Sequence, residues 1–512
     1  MVKGPGSRQC HRTRFSILVT AVFVLSCLLS GDHLSSAQSK PTSAWTLFIV
    51  PAAQCGPGER AESGLQGQTT FAERFGTKAS QSFNCNLELL GQYEGEGAQF
   101  DMTTLDNCAY FSTAGAAGQK NIGTVVVDAS DRRRPQAVAY LDSPAMLRPN
   151  ESLEAHSGRK LLAAIQTSVT APAPSIFDLY ETADCRKPVL RGSLSVPAVT
   201  GHAGRFAPDG RTYYATSWEN SPKPDRDGFV AIDVSDPSGV SVVHRWQAPP
   251  DVTPHDIAIS HDGTRAYLGL LGGGGRIRAE NGLVILDISD IQRRRPNPQV
   301  RVLGKLLWDD ASGGQVPIPL TIKGRPHVIF TDWTGPKGSN LEAARSACAQ
   351  GLPPYGFARL IDVSDAQRPT TVSKMLLQVH DPVNCAQVLA DAQAASRAGY
   401  SPLICTPDNP QNATMVACAW KESGVRVFDV RNPARPVEIG YYKPPGRRTE
   451  VRPGSGFTTA GGANRTADWV INVPRFDRER NEIWFMSQDN GLQIVRFTDR
   501  FRAARKDLFG SR

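Results

Sequence analysis

Three histidines offer the clearest chemistry in these 512 residues. His202 and His255 each stand seven residues before an Asp-Gly pair, Asp209-Gly210 and Asp262-Gly263. Asp-Gly between extended runs is a hairpin signal. Both histidines are therefore expected to open the first strand of a repeated unit. His380 stands at the start of a unit too, and His255-Asp256 and His380-Asp381 share a His-Asp pair. If the units close into a ring, their first strands line the axis. His202, His255 and His380 could then point into one axial opening, with Asp256 and Asp381 nearby. Three imidazoles with carboxylates beside them suit a divalent transition metal such as zinc, copper or iron. A histidine at a strand start also serves simply to bond a neighbouring backbone. The ring of histidines is incomplete, because Phe100 takes this place in the first copy and Ile318 in the fifth. His327 is expected to be structural, and His156 to be solvated near a hairpin turn.

Other chemical motifs dissolve on inspection. There is no Gly-x-Ser-x-Gly, and Pro453-Gly454-Ser455-Gly456 lacks a strand-to-helix setting. Gly272-Gly273-Gly274-Gly275 has no Lys-Ser or Lys-Thr after it, so it reads as a loop rather than a phosphate cradle. No Cys/His cluster has zinc-finger spacing. Arg132-Arg133-Arg134 and Arg293-Arg294-Arg295 lie in turns and are expected to be solvated charge. The formal charge is +8, which is mild for this length and does not argue for nucleic acid.

The elements that must position these residues are short strands. Gly and Pro together exceed the usual share of a globular chain, which favours many tight turns. One pattern recurs: a β-branched run, then Asp, an apolar residue, Ser-Asp, and soon a proline. Val230-Ala231-Ile232-Asp233-Val234-Ser235-Asp236 and Leu283-Val284-Ile285-Leu286-Asp287-Ile288-Ser289-Asp290 are clear copies. The motif aspartates fall at 128, 178, 233, 287, 362 and 429, and Arg496 takes the seventh place. Such regularity marks a turn-fixing role rather than a catalytic set. Residues 253–308 read as four antiparallel strands, at 256–260, 266–269, 283–288 and 300–307. Seven such copies predict an all-β, seven-bladed propeller of four-stranded blades. The last copy supplies only three strands, at 469–474, 482–487 and 492–497, while residues 87–93 look like a fourth strand without its first three. The N-terminal strand is therefore expected to complete the last blade and remove two open edges.

The ends carry different signals. Lys3, Arg8, Arg12 and Arg14 precede the apolar run 15–30, and Ser35-Ser36-Ala37 follows. This is the layout of a secretory signal peptide over residues 1–37. An extension (38–84), the propeller (85–498) and a basic tail (499–512) are expected after it. No other stretch reaches membrane-spanning length. Eight cysteines remain beyond the leader, an even number that suits disulfides in an exported chain. Cys405 and Cys418 are the expected pair, since they lie in two strand-like runs joined by residues 407–412. Residues 384–398 look like an alanine-rich helix inserted into the ring.

The runs Gly282-Leu283-Val284-Ile285-Leu286-Asp287 and Gly424-Val425-Arg426-Val427-Phe428-Asp429 resemble the LVIVD-repeat proteins. That resemblance covers roughly residues 85–498 and implies an exported β-propeller, with no catalytic residues to carry over. Two functions compete at this point. One is a secreted or cell-envelope scaffold that binds a protein, a polymer or a small ligand, with no nucleic acid and as a monomer. The other is a metal-dependent propeller enzyme, a lactonase-like hydrolase or an oxidoreductase, resting on His202, His255 and His380.

Overall fold

The computed structural model describes residues 43–115, 119–167, 174–218, 227–273, 280–391, 399–446, 452–456 and 467–509. The expected leader lies outside them. Among the described residues the strands fall into seven antiparallel sheets, each made almost entirely from one repeat copy. Blade one runs from Met102–Leu105 to Gln136–Leu141, blade two from Glu154–His156 to Val189–Val196, and blade three from Gly204–Phe206 to Ser241–Gln247. Blade four holds Pro254–Ile259, Arg265–Leu270, Gly282–Asp287 and Arg301–Leu307, close to the strands expected for this copy. In blade five the first strand is split, so that Ser312–Gly314 and Ile318–Ile322 both pair with the long strand Arg325–Thr334.

The repeat motif is hydrophobic throughout because a blade is sandwiched between two others. In Gly282–Asp287, Leu283 and Ile285 join the core shared with Val328, Phe330 and Ile361 of blade five. Val284 and Leu286 face the other way, against Tyr214 and Ala231 of blade three. Alternate side chains of one strand thus fill two cores. The aspartate that ends the run then fixes the turn. Asp128, Asp233, Asp287 and Asp362 accept from the backbone N–H of Ser130, Ser235, Ser289 and Ser364 at 2.8–2.9 Å. Asp178, whose copy lacks Ser-Asp, accepts instead from Ala145 N–H and the Ser193 hydroxyl.

Ring closure follows the sequence reading. Leu87–Gln92 pairs antiparallel with Gly491–Phe497, placing Leu87 opposite Phe497 and Gln92 opposite Gln493. The first strand of this blade is Arg475–Asp477 rather than 469–474, whose Val470 forms only isolated bridges. One strand was not foreseen. Phe83–Cys85 adds a fifth strand to the blade of Cys405–Pro407, Met415–Ala419, Val425–Asp429 and Val437–Lys443. The N-terminal chain therefore stitches blades six and seven. The extension before it is anchored by buried ion pairs, Arg74 with Glu422, Glu62 with Arg426, and Glu73 with Lys443.

Four disulfides join Cys55–Cys85, Cys108–Cys185, Cys348–Cys385 and Cys405–Cys418. Cys405 and Cys418 sit directly opposite each other in blade six. Cys348, on the helix Leu341–Ala349, ties the insertion of blade five to the helix Cys385–Asp391. The remainder of the alanine-rich run, 392–398, lies outside the described residues. Disulfides of this number fit an extracytoplasmic protein. Among the described residues no helix is long and apolar enough to cross a membrane.

Several charges expected to be solvated are instead clamps. Arg132 reaches Glu482 of blade seven at 3.1 Å and lies over the Trp484 ring. Arg294 of blade four bonds Thr212 and the Arg211 carbonyl of blade three and pairs with Asp233. The tail forms helices Asp499–Ala504 and Lys506–Phe509, burying Phe501 and Leu508.

Candidate functional site

Two of the three histidines meet at the axis. His202 lies just before the first strand of blade three and His255 within the first strand of blade four. Their Nε2 atoms are 2.9 Å apart. The third member is Glu151, just before the first strand of blade two. Its Oε2 lies 3.5 Å from His202 Nε2 and 4.0 Å from His255 Nε2. A point equidistant from these three atoms is about 2 Å from each, which is the length of a zinc–nitrogen or zinc–carboxylate bond. The Glu151 and His255 side chains are buried, and His202 is 14 % exposed.

The backbone fixes all three. Glu151 N–H donates to the His202 carbonyl, and a bridge links Glu151 to Ala203. The His255 carbonyl accepts from the Thr216 hydroxyl at 2.9 Å. Trp218 stands edge-on to His202, with ring centroids 5.3 Å apart, and also packs on His255. Asn150, in the left-handed region at φ 48°, brings its amide to 2.9 Å from His202 Nδ1.

Below the triad the first strands carry a buried charge cluster centred on Arg205. This guanidinium donates to the Glu151 carbonyl at 2.8 Å and pairs with Asp256 at 3.3 Å. Asp101 and Glu154 each lie 3.9 Å from it, and Arg475 reaches Glu154 at 3.3 Å. Burial raises the Asp101 carboxyl to about 8 and Asp256 to about 6, against the pull of Arg205. For Glu151 the balance goes the other way. Burial acts to raise it, but His255, His202 and Arg205 together hold it down at about 2. Glu151 is thus an anion facing two imidazoles. Opposite this charged sector the axis is apolar, packed with Val316, Ile404 and Ile471 and flanked by Phe100 and Ile318.

His380 does not join the triad. It is buried beside Trp420, its Nδ1 accepting from Leu377 N–H at 3.0 Å and its Nε2 facing the Tyr400 carbonyl at 3.2 Å. Burial pulls its imidazole down to about 4. Asp381 accepts from the hydroxyls of Ser43 and Thr46 in the extension. This pair lies away from the axis because His380 falls in a short helical turn, Gln378–His380, well ahead of its blade's first strand, Cys405–Pro407. Asp256 lies under the triad rather than in it. His327 bonds the Arg325 carbonyl, and His156 is half-buried against Phe206 rather than solvated.

Glu151 escaped the sequence reading, which drew no chemistry from Asn150-Glu151-Ser152. The signal was present in the spacing. Phe100, Glu151, His202 and His255 follow one another at 51, 51 and 53 residues, close to the repeat steps of these copies. Aligning the axial place in copy two would have found it.

A cavity of about 550 Å³ adjoins the site, sharing Asn150 as part of its wall. Phe100, Ile122 and Leu147 supply an apolar lining, with Gln99, Arg148 and Thr167 among them.

The LVIVD-repeat family model matches residues 278–291, the strand of blade four whose packing is described above. No curated protein matches the sequence. Solved structures of similar shape include the periplasmic gluconolactonase of Pseudomonas aeruginosa, at 12% identity and TM-score 0.46, over 76% of this chain and 99% of that one. The β-propeller domain of Cps50 (Swd1) from Myceliophteria thermophila matches at 11% and 0.49, over 80% and 100%. The WD40 domain of Toxoplasma gondii coronin matches at 11% and 0.48, over 81% and 86%.

Proposed function

We propose that this chain, an LVIVD-repeat β-propeller, is an exported metalloprotein that holds a divalent transition metal at Glu151, His202 and His255 and presents it to a small ligand. The observation that carries this reading is the convergence of three ligand atoms about a point at bonding distance from each. Two imidazoles and one carboxylate suit zinc, iron or copper better than calcium or magnesium, which prefer all-oxygen shells. The charge balance supports a cation as well. With Asp101 keeping its proton up to about 8, Glu151, Glu154 and Asp256 still outnumber Arg205 and Arg475 in the same sector.

The surrounding residues have the form of a supporting shell. Asn150 Nδ2 lies 2.9 Å from His202 Nδ1 and fixes the orientation of that ring beside Glu151 and His255. Arg205 fixes the Glu151 backbone and adds to the pull of His255 and His202 that keeps that carboxyl ionised against burial. Three protein ligands leave room for a fourth, so a bound metal would supply Lewis acidity toward a ligand oxygen. This favours the metal-dependent reading, of a hydrolytic kind, over a scaffold that binds by shape alone.

Equilibrium dialysis of chelator-stripped protein against zinc, ferrous iron or copper tests the proposal. One tightly held ion per chain is expected in wild type, lost in a Glu151→Gln, His255→Ala double variant and kept in His380→Gln. Equal uptake by wild type and the double variant would overturn it.

A further inference from the structure

We propose that the cavity beside the triad is a binding pocket for a small organic monocarboxylate with an apolar body, its acid group held by Arg148. The pairing stands on the cavity's own residues; only its coupling to a metal rests on the reading above. At about 550 Å³ the cavity has the size of a small-molecule site. Phe100, Ile122 and Leu147 offer the apolar surface that such a body would cover.

Apart from Asn150, the polar side chains on the same wall are unspent. Other arginines of the first three blades are committed: Arg132 to Glu482, Arg159 to the carbonyls of Gly210 and Val234, Arg205 to the axial cluster. Among the described residues the Arg148 side chain has no hydrogen-bond or ion-pair partner, although its backbone is fixed on both sides. Its N–H donates to the Ala145 carbonyl, and its carbonyl accepts from Thr167 N–H at 2.9 Å. The Thr167 hydroxyl oxygen is buried and has no partner among the described residues, which is costly unless a ligand supplies one. The Gln99 amide is likewise unbonded there. A guanidinium beside a hydroxyl and an amide matches the two oxygens of a carboxylate. Among the described residues Arg148 is the one cation in this lining, so it neutralises a monoanion and leaves a phosphate dianion half compensated. Asn150 belongs both to this wall and to the His202 contact, which places the far end of a bound ligand toward the triad.

Calorimetric titration of the full mature chain with benzoate and hexanoate, and with benzamide and hexanamide as neutral counterparts, tests this. The carboxylates are expected to saturate one site, with the amides about tenfold weaker. Arg148→Met should lose about the same factor, and Arg148→Lys less, because the ammonium keeps the charge but not the fork. Amides binding as well as acids, an unaffected Arg148→Met variant, or no saturable binding of either acid would each overturn the proposal. Zinc uptake measured on the same samples separates the two readings. Carboxylate binding without zinc uptake leaves this pocket standing and removes the metal, whereas zinc uptake without carboxylate binding removes the pocket alone.

Discussion

Replacing His380 with glutamine should flatten the acid side of the stability curve. In the fold this ring is neutral, with Nδ1 accepting from Leu377 N–H and Nε2 donating to the Tyr400 carbonyl. Burial holds its folded value at about 4, against about 6.5 in the unfolded chain. Between those limits the unfolded chain binds a proton that the folded chain refuses. Stability is therefore full above pH 6.5, falls as pH drops through the window, and levels off below about 4. A gap of about 2.5 units at 1.36 kcal/mol each gives about 3 kcal/mol. Asp101 and Asp256 act in reverse. Burial keeps their protons on in the fold, up to about 8 and about 6, so their contribution favours the fold at low pH and is lost as pH rises. The wild-type curve mixes these effects, and the difference between wild type and His380→Gln isolates one. Urea unfolding of metal-free protein, followed by tryptophan fluorescence from pH 7 to pH 4, supplies both curves. Wild type should lose about 3 kcal/mol more than the variant across that range. Parallel curves would refute the account of His380 as a buried neutral ring.

Ring closure makes its own demand. Leu87 is fully buried between blades six and seven, so Leu87→Ala should cost about 2–5 kcal/mol and lower the urea midpoint. Deleting residues 38–94 removes both stitching strands and should yield aggregating protein; a soluble, cooperatively unfolding product would contradict the closure. Opening the Cys405–Cys418 bridge with Cys405→Ser should cost about 3 kcal/mol from the chain-entropy term of its short loop, read by thermal unfolding without reductant.

The fold was legible because its determinants are local and repeated. Each copy carries its own doubly buried strand, and six of the seven end it on an aspartate, so seven copies announce seven blades. Closure was legible from what was missing, a fourth strand at one end and three strands at the other. The site was legible only in half. His202 and His255 announced themselves by residue type and by distance to the next Asp-Gly turn. Glu151 did not, because a glutamate on a connection looks like any solvated carboxylate until the repeat period is laid over it. His380 misled for the opposite reason. Its neighbours match those of His255, but it falls in a helical turn, and the first strand of its blade begins only at Cys405. Arg132 and Arg294 show the same limit, since a basic turn in one blade becomes a clamp only when the next blade is beside it.

The most direct test of the axial metal is X-ray absorption on zinc-loaded protein. The account predicts a first shell of two imidazole nitrogens and one carboxylate oxygen at about 2.0–2.2 Å, completed by a light oxygen ligand. The multiple-scattering signature of imidazole should weaken by half in His202→Ala and be unaltered in His380→Gln. A shell of oxygens without imidazole, or an imidazole signature lost with His380 instead of His202, would contradict it.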